Sequence, residues 1–109
     1  MIKTRLAFHS ILEGILGNRN VYFQPPANIQ LKYPCIVYSL TEIQEKTASN
    51  KKYKRDYSYK VTLIHKDPDN PIVDKLSNLP YSDLKSTFCT QGLNHYVFTI
   101  YYKNEKEII

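Results

Sequence analysis

The sequence contains no tryptophan, only two cysteines and three glycines, and no long apolar run. A helix that crosses a bilayer needs roughly 20 consecutive apolar residues, so no transmembrane segment is predicted. The N-terminal stretch MIKTRLAFHSILEG has neither a continuous apolar core nor a small-residue cleavage site, so no secretory signal is predicted. Cys35 and Cys89 lie far apart in apolar, strand-like contexts, which favours two buried thiols in a reducing compartment and leaves a disulfide open.

The common motifs of catalysis and metal binding are also missing. His9, His65 and His95 are not spaced for a shared metal, and neither cysteine belongs to a CxxC pair. There is no HExxH, P-loop, GxGxxG or GxSxG motif. The segment KDPDN carries two aspartates, but it lacks the distal glutamate of an EF-hand and reads as a turn followed by a helix cap. We therefore predict a protein that is not an enzyme and binds no metal or cofactor.

The composition is that of a folded protein rich in sheet. Of its 109 residues 42% are hydrophobic and 23% are charged, which is typical of a single globular domain, here expected to span residues 1–109. Ten tyrosines favour strands, because aromatic rings pack well on a pleated, half-buried surface.

Two amphipathic helices are predicted. Near the N-terminus, apolar residues recur at i, i+3, i+4, i+7 and i+8 and predict a helix over about residues 3–16, with Gly17 as its C-terminal cap. This stripe consists of Phe8, Ile11, Leu12, Ile15 and Leu16. A second, short helix is predicted after Asn70, which suits an N-cap, and Pro71, which suits the first helical turn.

Four strands are predicted from alternating polarity, besides a short apolar piece at residues 21–23. The segment YPCIVYSLTEI forms one strand, and NKKYKRDYSYKVTLIHKD forms the next, in which the tyrosines from Tyr57 onward share a parity with Val61 and Leu63. These tyrosines therefore belong to the core or its rim. Residues 84–90 and 95–103 form a last pair of strands joined by QGLN. The fold class predicted is α+β, a two-layer domain with about four antiparallel strands, arranged as a long hairpin and a C-terminal hairpin, and two helices on one face.

The excess positive charge is confined to one segment. Residues 46–60 contain six basic residues and one acidic residue, whereas the rest of the chain is neutral. The cluster at its tip, Lys51, Lys52, Lys54 and Arg55, is expected to be exposed and to dock onto another protein, with nucleic-acid contact as the weaker interpretation.

Four strings resemble segments of the tail-terminator, or tail-to-head joining, proteins of long-tailed bacteriophages. These strings are YPCIVYSL, NKKYKRDYSYKVTLIHKDPD, LPYSDLK and LNHYVFTIYY, and the resemblance covers residues 5–103. The resemblance implies an α+β subunit of a homohexameric ring that caps the tail tube, stops its polymerisation and offers a surface to head-completion proteins. Phage DNA would pass through the ring without specific recognition, and the protein would be located in the virion, and in the host cytoplasm during assembly.

The resemblance also implies where the contacts lie. The ring interface would use exposed strand edges and the apolar second face around Val97, Thr99 and Tyr101. The segment Gln44–Lys54 would be a flexible loop that orders on assembly, and its basic tip would face an acidic protein surface and not the DNA lumen.

Two other classes remain open from the residues alone. A small basic endoribonuclease toxin is one, with His95, Tyr101 and Lys103 as its candidate residues. A nucleic-acid-binding module that uses the basic cluster is the other, and it predicts binding that weakens steeply with salt.

Overall fold

The structure, a computed structural model, describes residues 5–48 and 51–104, with side chains described for residues 5–43 and 57–102. The elements in chain order are α1 (Arg5–Leu16), β1 (Val21–Phe23), β2 (Cys35–Ala48), β3 (Lys51–His65), α2 (Ile72–Ser77), β4 (Ser82–Thr90) and β5 (Leu93–Asn104). No helix in the described part of the chain has the length and apolar character needed to cross a bilayer.

The strands form one five-stranded sheet in the order β1-β2-β3-β5-β4. The long hairpin β2–β3 and the C-terminal hairpin β4–β5 are antiparallel, and β3 pairs with β5 to join them. The predicted α+β class is confirmed, but the purely antiparallel sheet of about four strands is incomplete. Val21–Phe23 adds a fifth strand that runs parallel to β2, so the sheet is mixed. A three-residue strand gives little periodic signal, and its partner cannot be read from the sequence.

Both helices pack on the same face of the sheet, as predicted. The core consists of Phe8, Leu12 and Leu16 from α1, Ile72 and Leu76 from α2, and Val21, Ile36, Tyr38, Tyr59, Val61, Leu63, Phe98 and Ile100 from the strands. The Phe8 ring stacks on the Tyr59 ring at a centroid distance of 4.6 Å. Tyr59 is 1% exposed and Tyr57 packs against the core, which confirms that these tyrosines belong to the fold.

Helix α1 follows its predicted bounds closely. Its N–H···O ladder ends at Gly17, whose N–H donates to the Glu13 carbonyl and whose φ of 85° lies in the left-handed region that glycine adopts without a Cβ penalty. The predicted stripe is wrong at Ile11, which is 39% exposed. The buried stripe is narrower, with Phe8, Leu12 and Leu16 buried, because α1 packs on the sheet with one side and turns the other toward solvent.

Helix α2 is capped by the residue that the sequence indicates. The Asn70 side-chain oxygen accepts hydrogen bonds from the N–H groups of Ile72 and Val73 at 3.1 and 3.3 Å. Its amide nitrogen donates to the Asp67 carbonyl, and the Asp67 carboxylate accepts from the Asp69 N–H. The segment KDPDN is thus a turn that leads into a helix cap.

Within the segment Gln44–Lys54, residues 44–48 and 51–54 form strands and not a loop, so that expectation is wrong for them, and residues 49–50 lie outside the described residues. Strand β2 continues to Ala48 and β3 begins at Lys51, with Ala48 and Lys51 paired. A hairpin extends as long as each strand supplies hydrogen-bond partners to the other, so a polar composition does not end it. Side chains of this segment lie outside those that the structure describes.

The β4–β5 connection is a two-residue turn and not the four-residue QGLN. Gln91 and Gly92 both have positive φ, 52° and 75°, which is the backbone of a type I′ hairpin turn. β4 therefore reaches Thr90 and β5 begins at Leu93.

The two thiols differ, which corrects the prediction that both are buried. Cys35 is fully buried and Cys89 is exposed on β4, and both are free. β4 forms an edge of the sheet, and almost all of its residues are exposed. An apolar residue on this strand is therefore in contact with solvent. Burial raises the pKa of the Cys35 thiol to about 11.

Candidate interaction surface

Neither helix packs on the face of the sheet opposite the core. Residues directly opposite each other in an antiparallel pair share a face, so the register assigns three rows to it. We call these rows the bare sheet face: Ser39, Lys60, Thr99 and Asp83; Val37, Thr62, Val97 and Ser86; Cys35, Ile64, His95 and Phe88. In the third row Cys35 and Ile64 are buried, so the face is open to solvent over the first two rows and at His95 and Phe88.

The middle row of the bare sheet face is uncharged and rich in β-branched residues. Val37, Thr62 and Val97 are half-buried by their neighbours in the sheet, and Ser86 is exposed at the edge. Val and Thr side chains are stiff and give a smooth, pleated surface. Such a surface is suited to packing against another protein layer.

One end of the bare sheet face carries an exposed aromatic pair. The Phe88 ring stacks on the His95 ring at 4.5 Å with an interplanar angle of 11°, although Phe88 is 51% exposed. The His95 Nδ1 atom lies 3.2 Å from the Leu93 carbonyl oxygen. A depression of about 220 Å³ lies beside this pair, lined by Thr87, Phe88, Cys89, Asn94, His95 and Tyr96.

The outer edge of β4 has no partner strand within the described part of the chain. Asp83 and Lys85 on this strand form an exposed ion pair, with Oδ2 and Nζ 2.7 Å apart. Charged side chains on an edge strand discourage uncontrolled pairing with other chains. The edge is thus partly protected against aggregation while the adjoining face remains bare.

The residues predicted for the subunit interface share one face. Val97 and Thr99 lie in the rows of the bare sheet face, and Tyr101 lies beyond them on the same side of β5, opposite Ser58. Tyr101 is 38% exposed, and its N–H donates to the Tyr81 carbonyl across the edge. The structure therefore places all three residues on one face of the sheet.

The basic cluster lies at the far end of the long hairpin. Arg55 pairs with Asn104 at the end of the β3–β5 pairing. Lys51, Lys52 and Lys54 lie before this point, nearer the tip of the hairpin. Over residues 51–54 the backbone of β3 has β2 as its only partner strand in the described part of the chain. The hairpin thus extends past the rest of the sheet, and the Cα atoms span 52 × 27 × 21 Å.

The residues considered for an endoribonuclease do not converge. His95 and Tyr101 lie on the same face but six residues apart on one strand, which at about 3.3 Å per residue separates them by roughly 20 Å. The Lys103 side chain is outside those that the structure describes. Among the described residues, no group of three His, Cys, Asp or Glu side chains is placed to hold a metal ion.

A polar network on the helix side was not foreseen from the sequence. The Tyr38 hydroxyl lies 2.7 Å from His9 Nδ1 and accepts a hydrogen bond from Arg5 at 3.4 Å. His9 Nε2 lies 3.6 Å from the Glu13 carboxylate, at i, i+4 on α1. Burial raises the pKa of Tyr38, and the nearby Arg5 opposes that shift. Tyr38 is 1% exposed, and this network joins the helix to the sheet.

The members of the bare sheet face outside β5 are not predictable from the sequence. Val37 and Thr62 align with Val97 only through the register, and Phe88 meets His95 only because β4 contains an irregularity between Leu84 and Ser86. No local signal in the sequence gives such alignments. No protein-family model matches the chain, and a comparison with curated proteins finds no match either.

Proposed function

We propose that this chain is a structural subunit of a long-tailed bacteriophage virion, which forms a homohexameric ring at the end of the tail tube. The ring stops tube polymerisation and supplies the surface to which the head-completion protein binds. The subunit has no catalytic role in this account. Its partners are other copies of itself, the tail tube protein and the head-completion protein.

The observation that carries this proposal is the bare sheet face. In a two-layer domain of this size, one face of the sheet packs on helices, and the other is normally polar. Here its middle row is Val37, Thr62, Val97 and Ser86, without a charge. An uncharged row with two valines on a face that no helix covers supports contact with another protein chain.

The extended hairpin also supports assembly with other proteins. It places Lys51, Lys52, Lys54 and Arg55 at the end of a projecting pair of strands, away from the helices. We expect these residues to contact an acidic surface of the tube or a neighbouring subunit. DNA must slide through a conduit, and a ring of lysines along its wall would bind phosphates and slow that passage.

The experiment is a tube-capping assay with the purified chain. Tail tube protein is allowed to polymerise with and without the chain, and tube length is measured by negative-stain electron microscopy. The proposal predicts a ring at tube ends and shorter tubes as the chain concentration rises. Tubes of unchanged length without terminal density would contradict it.

A parallel assay separates this function from nucleic-acid binding. Binding of duplex DNA is measured over a range of salt concentrations for two proteins. One is the natural chain, and the other is a variant in which Lys51, Lys52, Lys54 and Arg55 are replaced by Ser. The proposal predicts no binding of either protein at physiological salt. A nucleic-acid-binding module would instead show tight binding that the replacements abolish. The slope of log K against log[salt] would then be about −5.

A further inference from the structure

We propose that neighbouring copies contact each other through two different surfaces, the outward side of α1 on one copy and the bare sheet face on the next. This inference rests on the ring assembly proposed above and names the surfaces that build it. The contact would add a second helix layer to the sheet, on the face that its own helices leave bare.

The outward side of α1 is unusually free of charge. Leu6, Ser10 and Gly14 lie at i, i+4 and i+8, opposite the buried stripe of the helix. Leu6 is 65% exposed, and Ile11 at the border of this side is 39% exposed. A Cβ atom built at Gly14 would meet nothing within 4 Å, so the space above the helix is open. We call Leu6, Ser10, Ile11 and Gly14 the outer helix face.

The two surfaces match in chemical character. Each has an uncharged centre, formed by Leu6, Ser10 and Gly14 on the helix and by Val37, Thr62 and Val97 on the sheet. Packing a helix on a sheet is the same layer arrangement that forms the core of each subunit.

A cation lies beside one centre and a partly exposed anion beside the other, while Asp83, in the same row as Lys60, is paired with Lys85. Lys60 is exposed next to the middle row, between Ser39 and Thr99, and forms no ion pair with any residue that the structure describes. Glu13 is the only acidic residue of α1, and its side chain is 33% exposed beside the outer helix face. Lys60 of one copy and Glu13 of the next thus supply opposite charges to the same contact.

The placement of the surfaces explains why assembly would extend beyond a dimer. The outer helix face and the bare sheet face lie on opposite sides of a two-layer domain. A contact between different surfaces of identical subunits is heterologous, so each copy keeps one surface of each kind for the next neighbour. Such a contact builds a ring when its rotation closes. Two bare sheet faces packed on each other would instead close at a dimer.

The test reverses each charge in the full chain. Lys60→Glu and Glu13→Lys each place like charges in the contact, and each is expected to raise the protein concentration needed for ring assembly by at least about tenfold. The double variant and the equimolar mixture of the two single variants restore opposite charges at every contact, so assembly should return. Lys66→Glu changes the same charge at an exposed site outside both surfaces and should assemble like the natural chain.

A steric variant tests the helix surface without changing charge. Gly14→Trp fills the open space above α1, and the fold should be retained because the new Cβ meets no neighbour. Circular dichroism verifies folding, and native mass spectrometry in the presence of tubes measures assembly. The inference predicts a folded monomer that does not assemble.

The outcomes separate this inference from the proposed function. If the natural chain forms rings and both Glu13→Lys and Gly14→Trp also form them, the helix surface is not part of the contact and the inference is overturned. If Lys60→Glu disrupts assembly and the Glu13→Lys partner fails to restore it in the mixture, the sheet face packs on something other than α1, which also overturns it. If the natural chain forms no ring, the proposed function fails.

Discussion

Tyr38 is the residue at which the helix layer and the sheet share a polar contact. Its ring packs in the core against Phe8, and its hydroxyl lies between Arg5 and His9 on α1. A hydroxyl this deeply buried must be hydrogen-bonded, because an unpaired polar group in the interior destabilises the fold. The network therefore fixes the position of α1 on the sheet as well as filling the core.

Tyr38→Phe is expected to lower the free energy of unfolding by about 1–2 kcal/mol, since His9 loses its partner at Nδ1. Urea denaturation followed by circular dichroism measures the change. Tyr22→Phe is the matched control, because the Tyr22 hydroxyl only accepts an exposed hydrogen bond from the Lys32 N–H. Equal losses for both variants would show that burial of the Tyr38 hydroxyl contributes nothing.

Cys35 gives the chain a defined response to alkaline pH. Burial raises the pKa of its thiol to about 11 and also raises the pKa of Tyr59 to about 12. The unfolded chain ionises both groups at lower pH than the folded chain does. The stability they contribute is therefore complete below about pH 9 and is lost as pH rises toward 11.

Between pH 8 and pH 10.5 the free energy of unfolding is expected to fall by on the order of 2 kcal/mol through Cys35 alone. Cys35→Ala should be less stable at pH 8 but lose less stability over this interval. Urea denaturation at the two pH values measures both slopes. Parallel slopes for the natural chain and the variant would contradict the assignment.

At the scale of elements, the local sequence pattern predicts most of the helices and strands, because their formation depends mainly on interactions within one segment. The 3.6-residue period gives α1, the Asn70–Pro71 pair gives the start of α2, and alternation gives most of the four long strands. Each of these signals lies within one segment of the chain. They were enough to place both helices on one face and to assign Val97 and Thr99 to the other.

Features that depend on partners distant in sequence could not be predicted. The parallel pairing of β1 with β2 needs a partner 15 residues away, as Val21 pairs with Ile36. The exposure of Cys89 follows from the edge position of β4, which is fixed by pairing with β5 alone. The polar composition of Gln44–Lys54 suggested a loop, although residues 44–48 and 51–54 form strands.

Two glycine-to-alanine replacements are expected to have opposite effects. Gly14→Ala should raise the free energy of unfolding by about 0.5–1 kcal/mol, because alanine favours the interior of a helix and its Cβ meets no neighbour. Gly92→Ala should lower it by roughly 1 kcal/mol, because φ is 75° in the turn. Thermal unfolding of both variants beside the natural chain tests this pair. A loss of stability at Gly14, or none at Gly92, would contradict the roles assigned to α1 and the turn.

At the scale of the whole molecule, the two faces, the edges and the ends of the sheet differ from one another. One side of the sheet is covered by helices and the other is bare, one edge ends in the exposed strand β4, and one end extends into the β2–β3 hairpin. The excess positive charge lies in the same hairpin. A molecule built in this way offers different surfaces to different neighbours, which is what a subunit between a tube and a head must do.

Native mass spectrometry of the full chain, alone and with assembled tail tubes, tests the central claim most directly. The account predicts a hexamer at high protein concentration or on addition of tubes, and dissociation of that hexamer when Val97 on the bare sheet face is replaced by Arg. The Lys66→Glu variant should behave like the natural chain. A monomer at every concentration, with and without tubes, would contradict the account.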